Sequence, residues 1–157
     1  MKLSSDSFRN RAAMPAVHAA GGGNRHPQLR WRDVPAGTAS FVVLCLAADR
    51  PDGDFCHWSV VDLPPTLSSL AAGALSGDEE TMLDGVPLRQ GLSDNGRPGY
   101  DGPGPLPDAA RHYIFRIYAL DVPRLELPPG FSCADVLSAI YGHIIDEAQL
   151  IGAYPNK

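Results

Sequence analysis

The chain has 157 residues, of which 44% are hydrophobic and 20% are charged, and its formal net charge is -5 with 13 Lys and Arg residues. This length predicts one globular domain over residues 1–157, and so few cations argue against nucleic acid or an anionic membrane surface as partners. No apolar run has the length of a signal peptide or membrane span, so we expect a cytoplasmic protein with no membrane span.

The first half of the chain contains two strong strand patterns. Residues 1–32 are mostly small or polar, so we expect a connective surface segment with a short strand at most, in which Trp31 is a core anchor. The β-branched and aromatic run 40–46 predicts a buried strand of a sheet covered on both faces. Residues 57–62 predict a second strand that ends before Pro64.

The middle of the chain is less regular. Residues 68–84 contain leucines and alanines that could form a short helix before a turn at Asp84–Gly85. A dense Gly/Pro loop follows at 94–107, and residues 112–120 then predict a strand rich in aromatic and β-branched residues. Alternation extended back to residue 111 places Arg111 and Tyr113 on the same face.

A helix is predicted late in the chain. Ser132–Asp135 has the pattern of a capping box, and Val136, Ile140 and Ile144 recur at every fourth position, with Leu137 widening the apolar stripe. Gly152 ends this region, and residues 153–154 add a final strand. Strands first and a helix late predict a mainly β domain with a peripheral helix.

The Gly/Pro loop is the centre of the candidate site. Prolines make the loop rigid and glycines expose amides, which together predict the rim of a small anion site. Asp49, His57, Arg111 and Tyr113 complete a set that suits a phosphate or carboxylate. The structural alternatives stay open: Asp49 as a turn former, His57 as a core histidine and Arg111 as a surface cation.

Catalytic and metal sites are less favoured. Cys56 and His57 are neighbours on a strand and therefore point to opposite faces, which separates a thiolate from its base. No Gly-x-Ser-x-Gly elbow occurs, and Cys56, His57 and His112 lack the spacing of zinc ligands. Cys45, Cys56 and Cys133 follow no paired spacing, which indicates a reducing compartment. We expect no cofactor and no metal.

Short motifs occur in a specific order along essentially the whole chain. They are Met1–Ser5, Asn24 with Pro27 and Trp31, Val34–Thr38, Asp49 with His57–Trp58, Asp94 with Gly99–Tyr100 and Gly102–Pro103, Tyr118–Asp121, Leu127–Gly130 and Gly142–His143. In this order the chain resembles the phosphatidylethanolamine-binding proteins, in the bacterial branch known as Raf kinase inhibitor-like proteins.

The resemblance implies a Greek-key β-sandwich with peripheral helices and a small cavity for phosphate-like or other oxyanions. The positions that match the pocket of that family, and are therefore expected to bind ligand, are Asp49, His57, Tyr100, Gly102, Gly104, Pro105 and Tyr113. Bacterial members often form dimers, so a homodimer is a further expectation, although nothing in the sequence itself requires one.

Two positions depart from that family. Ala47 stands where the family has its leading Asp, which argues against recognition of an amine headgroup. The strand has Arg111-His112-Tyr113 in place of His-Arg-Tyr, so Arg111 and not His112 shares the face of Tyr113. A bulge in this strand would return His112 to the cavity.

The sequence therefore predicts a non-enzymatic protein that binds a small anionic or phosphorylated ligand and modulates a partner protein. The alternative is a hydrolase of small esters or phosphates that uses His57 as a general base. A third reading is a regulator that acts by protein contact alone. The identities of the ligand and of the partner stay open.

Overall fold

Antiparallel strands in two sheets dominate the fold in a computed structural model that describes residues 1–51, 53–104 and 111–155. The strands are β1 (Lys2–Ser4), β2 (Leu29–Arg32), β3 (Ser40–Ala47), β4 (Phe55–Leu63), β5 (Ser69–Leu70), β6 (Glu80–Leu83), β7 (Val86–Gln90), β8 (Arg111–Leu120) and β9 (Ile144–Tyr154), and the helix α1 (Cys133–Ile140) precedes β9. The sheets have the orders β6-β7-β4-β3-β8-β9 and β1-β2-β5. The predicted mainly β sandwich is confirmed.

Strand β3 lies inside the six-stranded sheet and is covered on both faces, as predicted. Val43 packs in a cluster that also contains Trp31 of β2, whereas Leu44 packs in a second cluster with Val136 of α1. All four of these side chains are at most 2% exposed. Burying each such side chain contributes about 1.5–3 kcal/mol, so β3 is anchored from both sides.

The first 32 residues contribute to the core, which corrects the expectation of a connective surface segment. Leu3 of β1 and Leu29 of β2 join the main apolar cluster, and Trp31 is a core anchor as predicted. The alternation in β2 covers only four residues, Leu29–Arg32, with Leu29 and Trp31 inward. An alternation of only four residues is a weak indication of a strand.

Residues 68–84 form no helix, so that expectation is wrong. Leu70 lies in β5 opposite Leu29 of β2, and residues 80–83 form β6 instead. The turn at Asp84–Gly85 joins β6 to β7 as predicted. Both turn residues have positive φ, 48° and 81°, which is the backbone that an Asp-Gly hairpin turn adopts.

Helix α1 begins as predicted and ends earlier than predicted. Ser132 Oγ accepts a hydrogen bond from Asp135 N at 3.1 Å, and Asp135 Oδ2 accepts one from Ser132 N at 2.9 Å, which completes the capping box. The helix stops at Ile140, and Gly142 turns the chain with a φ of 85°. Leu137 and Ile144, expected in the apolar stripe, are 43% and 42% exposed.

Strand β9 is much longer than the two residues expected at 153–154. It begins at Ile144 and pairs with β8 along its whole length, from Leu120↔Ile144 to Arg111↔Tyr154. Over the described ranges, no helix is both long and apolar enough to cross a membrane.

Candidate functional site

A cavity of about 310 Å³ lies beside the first residues of β4 and β8, under the Gly/Pro loop. Its described lining consists of Ala20, Arg50, Phe55, His57, Asn95, Arg97, Asp101, Gly102, Gly104, Arg111 and Tyr113. Five of the predicted ligand-binding residues therefore come together here, namely His57, Gly102, Gly104, Arg111 and Tyr113. Strand ends and a braced loop supply the walls.

His57 forms the floor of this cavity and is only 4% exposed. Its Nδ1 lies 2.7 Å from the carbonyl oxygen of Asp101, and Asp101 N donates back to the carbonyl oxygen of His57 at 3.0 Å. Because a carbonyl only accepts, Nδ1 carries the proton and Nε2 has the lone pair. The buried Nε2 has no hydrogen-bond partner among the described residues. Burial lowers the pKa of His57, which favours this neutral form.

Most backbone N–H groups in the described part of the Gly/Pro loop already donate to acceptors of the protein, which corrects the expectation of a rim of bare N–H groups. Gly102 N donates to Asn24 Oδ1 at 2.7 Å, and Asn24 Nδ2 donates to Tyr100 O at 2.9 Å. Gly99 N donates to Gly91 O. A Cβ on Gly102 would lie 2.2 Å from the carbonyl oxygen of His18, so this position requires glycine.

Asp101 braces the same loop from within. Its Oδ2 accepts hydrogen bonds from Ser93 Oγ and Asn95 Nδ2, both at 2.9 Å, and the residue is 3% exposed. Among the described lining residues it has the only carboxylate. Since this carboxylate already accepts hydrogen bonds from Ser93 and Asn95, it leaves Arg97 and Arg111 of the lining to interact with a ligand.

Arg111 and Tyr113 both line the cavity, as alternation predicts. Strand β8 pairs without a register shift over Arg111–Tyr113, so no bulge turns His112 inward. Instead His112 N and Nδ1 bond to the Asp49 carboxylate, at 3.1 Å and 3.0 Å to Oδ2. Burial raises the pKa of Tyr113 to about 12, so its phenol keeps its proton and acts as a donor.

Three predicted residues are not placed in the lining. The carboxylate of Asp49 binds His112, and the Asp49 carbonyl oxygen accepts a hydrogen bond from Arg111 Nη1 at 3.1 Å, so Asp49 acts behind the wall. Burial raises the pKa of the Asp49 carboxyl, but the hydrogen bonds from His112 lower it by more, so the pKa of Asp49 lies below its ordinary value. Tyr100 is 6% exposed and donates to His18 O at 2.7 Å, in the core behind the loop. Pro105 lies outside the described residues.

The structure adds lining residues that sequence reasoning missed, above all Arg50 and Arg97. Arg50 lies with its guanidinium carbon 4.4 Å from the centre of the Phe55 ring. Arg97 lies in the Gly/Pro loop and Arg50 directly follows Asp49, so a cation near a predicted site residue was the available signal. Nothing in the sequence marks Ala20 as a lining residue, because its N–H meets the carbonyl oxygen of Pro103 only in the folded chain.

A second groove of about 400 Å³ lies along β6 and β7 and is lined by Met82, Pro87, Arg89 and Arg124, among others. Arg89 is already bound to Asp62 and to the carbonyl oxygen of Leu125, at 2.9 Å and 2.6 Å. Within the described ranges, no three His, Cys, Asp or Glu side chains gather as metal ligands. The cavity at His57 is therefore the better equipped for recognition.

Comparison with known proteins agrees with this architecture. A family model described as "Phosphatidylethanolamine-binding protein" matches residues 4–155. The UPF0098 protein YbhB of Escherichia coli is 38% identical over 160 residues, covering 98% of this chain and 99% of YbhB. A UPF0098 protein of Aquifex aeolicus is also 38% identical, over 98% of this chain and 88% of the relative.

Two solved structures are similar along nearly the whole chain. Escherichia coli YbcL, described as a member of the mammalian PEBP family, matches with a TM-score of 0.89 and 29% identity, over 99% of this chain and 98% of YbcL. The Chlamydia trachomatis protein CT736, described as a putative PEBP homolog, matches with a TM-score of 0.85 and 35% identity, over 99% and 97% of the two chains.

Proposed function

The chain belongs to the phosphatidylethanolamine-binding protein family, and from this premise we propose that its cavity binds small anions, with phosphate-like oxyanions as ligands. The size of the cavity, about 310 Å³, suits a small ligand or the anionic end of a larger one. Modulation of a partner protein and formation of a homodimer, both expected from the sequence, stay predictions.

The guanidinium groups of Arg97 and Arg111 carry the proposal. Both line the cavity, and neither forms an ion pair with a described carboxylate. The hydrogen bond of Arg111 to the Asp49 carbonyl oxygen uses one of its five N–H donors and orients the side chain. Charge-assisted bonds from such groups to an oxyanion are about twice as strong as neutral ones.

Ala47 supports an anion over an ammonium group. It is fully buried in β3, opposite Tyr113 of β8, and brings no carboxylate to this end of the sheet. A cationic headgroup would meet arginines and a carboxylate that is already bonded within its loop. The cavity therefore favours the phosphate part of a ligand over an amine part.

The test is calorimetric titration with inorganic phosphate of the wild type, Arg111→Gln and Arg116→Gln. Arg116 is the matched control, because it lies on the opposite face of β8 and donates to Gln149 Oε1 at 3.1 Å. We expect Arg111→Gln to weaken binding about tenfold or more, the loss of a charge-assisted bond. Arg116→Gln should stay within about twofold. Equal affinities of wild type and Arg111→Gln would contradict the proposal.

Hydrolysis is the second candidate, because a neutral His57 with its Nε2 unprotonated has the proton state of a general base. The side chain of Cys56 packs in the apolar cluster on the other face of the sheet and so supplies no nucleophile beside His57. We expect no turnover of p-nitrophenyl phosphate or p-nitrophenyl acetate above the buffer rate. Turnover that disappears in His57→Ala would favour the hydrolase instead.

A further inference from the structure

The hydrogen-bond state of His57 follows from geometry. Nδ1 is 2.7 Å from a backbone carbonyl oxygen, that of Asp101, so Nδ1 must donate. In the neutral ring Nε2 is then an acceptor with no proton to give. Nε2 is buried and has no partner in the described part of the chain.

An unpartnered buried acceptor destabilises the protein, and a ligand group that donates a hydrogen bond to it recovers that loss. Donors in the ligand are therefore favoured at Nε2, and oxygens that can only accept are repelled by its lone pair. Arg97 and Arg111 of the same cavity favour a negatively charged ligand. The two requirements together describe an anion that still carries a proton.

We propose that the cavity selects oxyanions that retain an acidic proton, such as monohydrogen phosphate, and that His57 is the residue that determines this selectivity. The inference rests on the proposed function, since it specifies which anions the cavity accepts. Sulfate has the same tetrahedral shape and the same charge as monohydrogen phosphate at pH 8 and lacks only the proton. It should bind more weakly.

The same requirement separates classes of phosphate ligands. A phosphodiester, such as a phospholipid headgroup, has no P–OH at any pH near neutrality, so it leaves Nε2 without a donor. A phosphomonoester has a second pKa of about 6 and keeps the proton only around or below that pH. Inorganic phosphate is therefore the favoured ligand of this cavity at pH 8.

The groups around His57 belong to all the elements packed against it. They are Asp94 and Asp101 of the Gly/Pro loop, Arg97 of that loop, Arg50 before β4, and Arg111 and Tyr113 of β8. Burial and Arg50 disfavour the protonated ring, whereas Asp94 and Asp101 favour it, and the balance lowers the pKa of His57. The ring is consequently neutral at pH 8.

The first experiment compares calorimetric affinities for phosphate and sulfate at pH 8 and constant ionic strength. We expect phosphate to bind about tenfold or more tightly than sulfate. Arg111→Gln should weaken the binding of both anions and preserve the ratio of their affinities, because the guanidinium interacts with the charge that the two anions share. His57→Gln should bring the ratio of phosphate to sulfate affinity close to one, because the amide of the introduced glutamine can rotate to present either a donor or an acceptor.

The outcomes separate the inference from the proposed function. Equal wild-type affinities for phosphate and sulfate would overturn the selectivity and leave anion binding intact. Binding of neither anion would overturn both. The ratios of phosphate to sulfate affinity in the wild type and in Arg111→Gln test the selectivity even if the His57 variant does not fold.

A second measurement follows sulfate alone from pH 8 to pH 5, since sulfate does not titrate in this range. Protonation turns Nε2 into a donor, so sulfate affinity should rise as the pH falls below the pKa of His57. A sulfate affinity that falls as the pH is lowered, or that rises equally in His57→Gln, would contradict the role of His57.

Discussion

His26 shows at the residue scale how burial fixes a proton. It is 1% exposed, its Nε2 accepts from Leu75 N at 3.1 Å, and its Nδ1 donates to Pro27 O at 3.0 Å. The ring stacks on Trp58 with centroids 4.7 Å apart. Burial lowers the pKa of His26 from 6.5 to about 4. The folded state therefore holds this ring neutral where the unfolded chain protonates it.

The sign of the resulting pH dependence is fixed. Between pH 6.5 and about 4 the unfolded chain binds the proton and the folded protein does not, so stability falls as the pH is lowered through this window. We expect His26 to contribute a loss of about 2–3 kcal/mol in the free energy of unfolding between pH 7 and pH 4.5. Urea denaturation at the two pH values measures it.

His26→Gln isolates this contribution. The variant should be less stable than the wild type at pH 7, because the stacking on Trp58 is lost, but it should lose less stability on acidification. If His26→Gln and the wild type lose equal free energy between pH 7 and pH 4.5, His26 is not responsible.

The residue scale also shows what the sequence could predict of the site. Alternation placed Arg111 and Tyr113 together, the chemistry of the side chains already included His57, and the motif order identified Gly102. The position of Asp49 behind the wall was not predictable, because its role depends on a bond to His112, 63 residues away. Arg50 and Arg97 were missed because a cation near a predicted site residue is a weak signal, and the sequence does not show which loops converge in space.

At the scale of elements, the sequence was sufficient to predict those helices and strands that are long and have their own local pattern. The apolar run of β3, the aromatic run of β8 and the capping box of α1 were all predicted, and each has its own periodicity or cap. The part of strand β9 before residue 153 was missed because Val136, Ile140 and Ile144 keep a spacing of four across Gly142. The positive φ of that glycine ends the helical period, and the sequence does not reveal which period applies beyond it.

The capping box of α1 supports an element-scale prediction. Ser132→Ala removes the acceptor for Asp135 N, so we expect the free energy of unfolding to fall by about 1 kcal/mol. Ser138→Ala is the control, since Ser138 is exposed within the same helix and alanine has the higher helix propensity. In urea unfolding, the free energy of unfolding should be lower than that of the wild type for Ser132→Ala and higher for Ser138→Ala. Equal losses in both would show that the cap contributes nothing specific.

At the scale of the whole molecule, the beginning of the chain braces both the last strand and the cavity. Met14 N donates to Ala153 O of β9 at 2.8 Å, and Ala20 N donates to Pro103 O of the Gly/Pro loop at 2.9 Å. Asn24 then bonds to the loop at Tyr100 and Gly102. These long-range contacts explain why a segment of weak local pattern belongs to the core of the fold and to the support of its site.

The bond between His57 Nδ1 and the Asp101 carbonyl oxygen has a thermodynamic consequence. A ligand that brings its own proton takes none from the solvent, so its heat of binding is the same in buffers of different ionisation enthalpy. A ligand that must protonate the imidazole draws a proton from the buffer, and its heat changes with that enthalpy. One backbone carbonyl, by holding one tautomer, thus decides whether recognition exchanges protons with the surroundings.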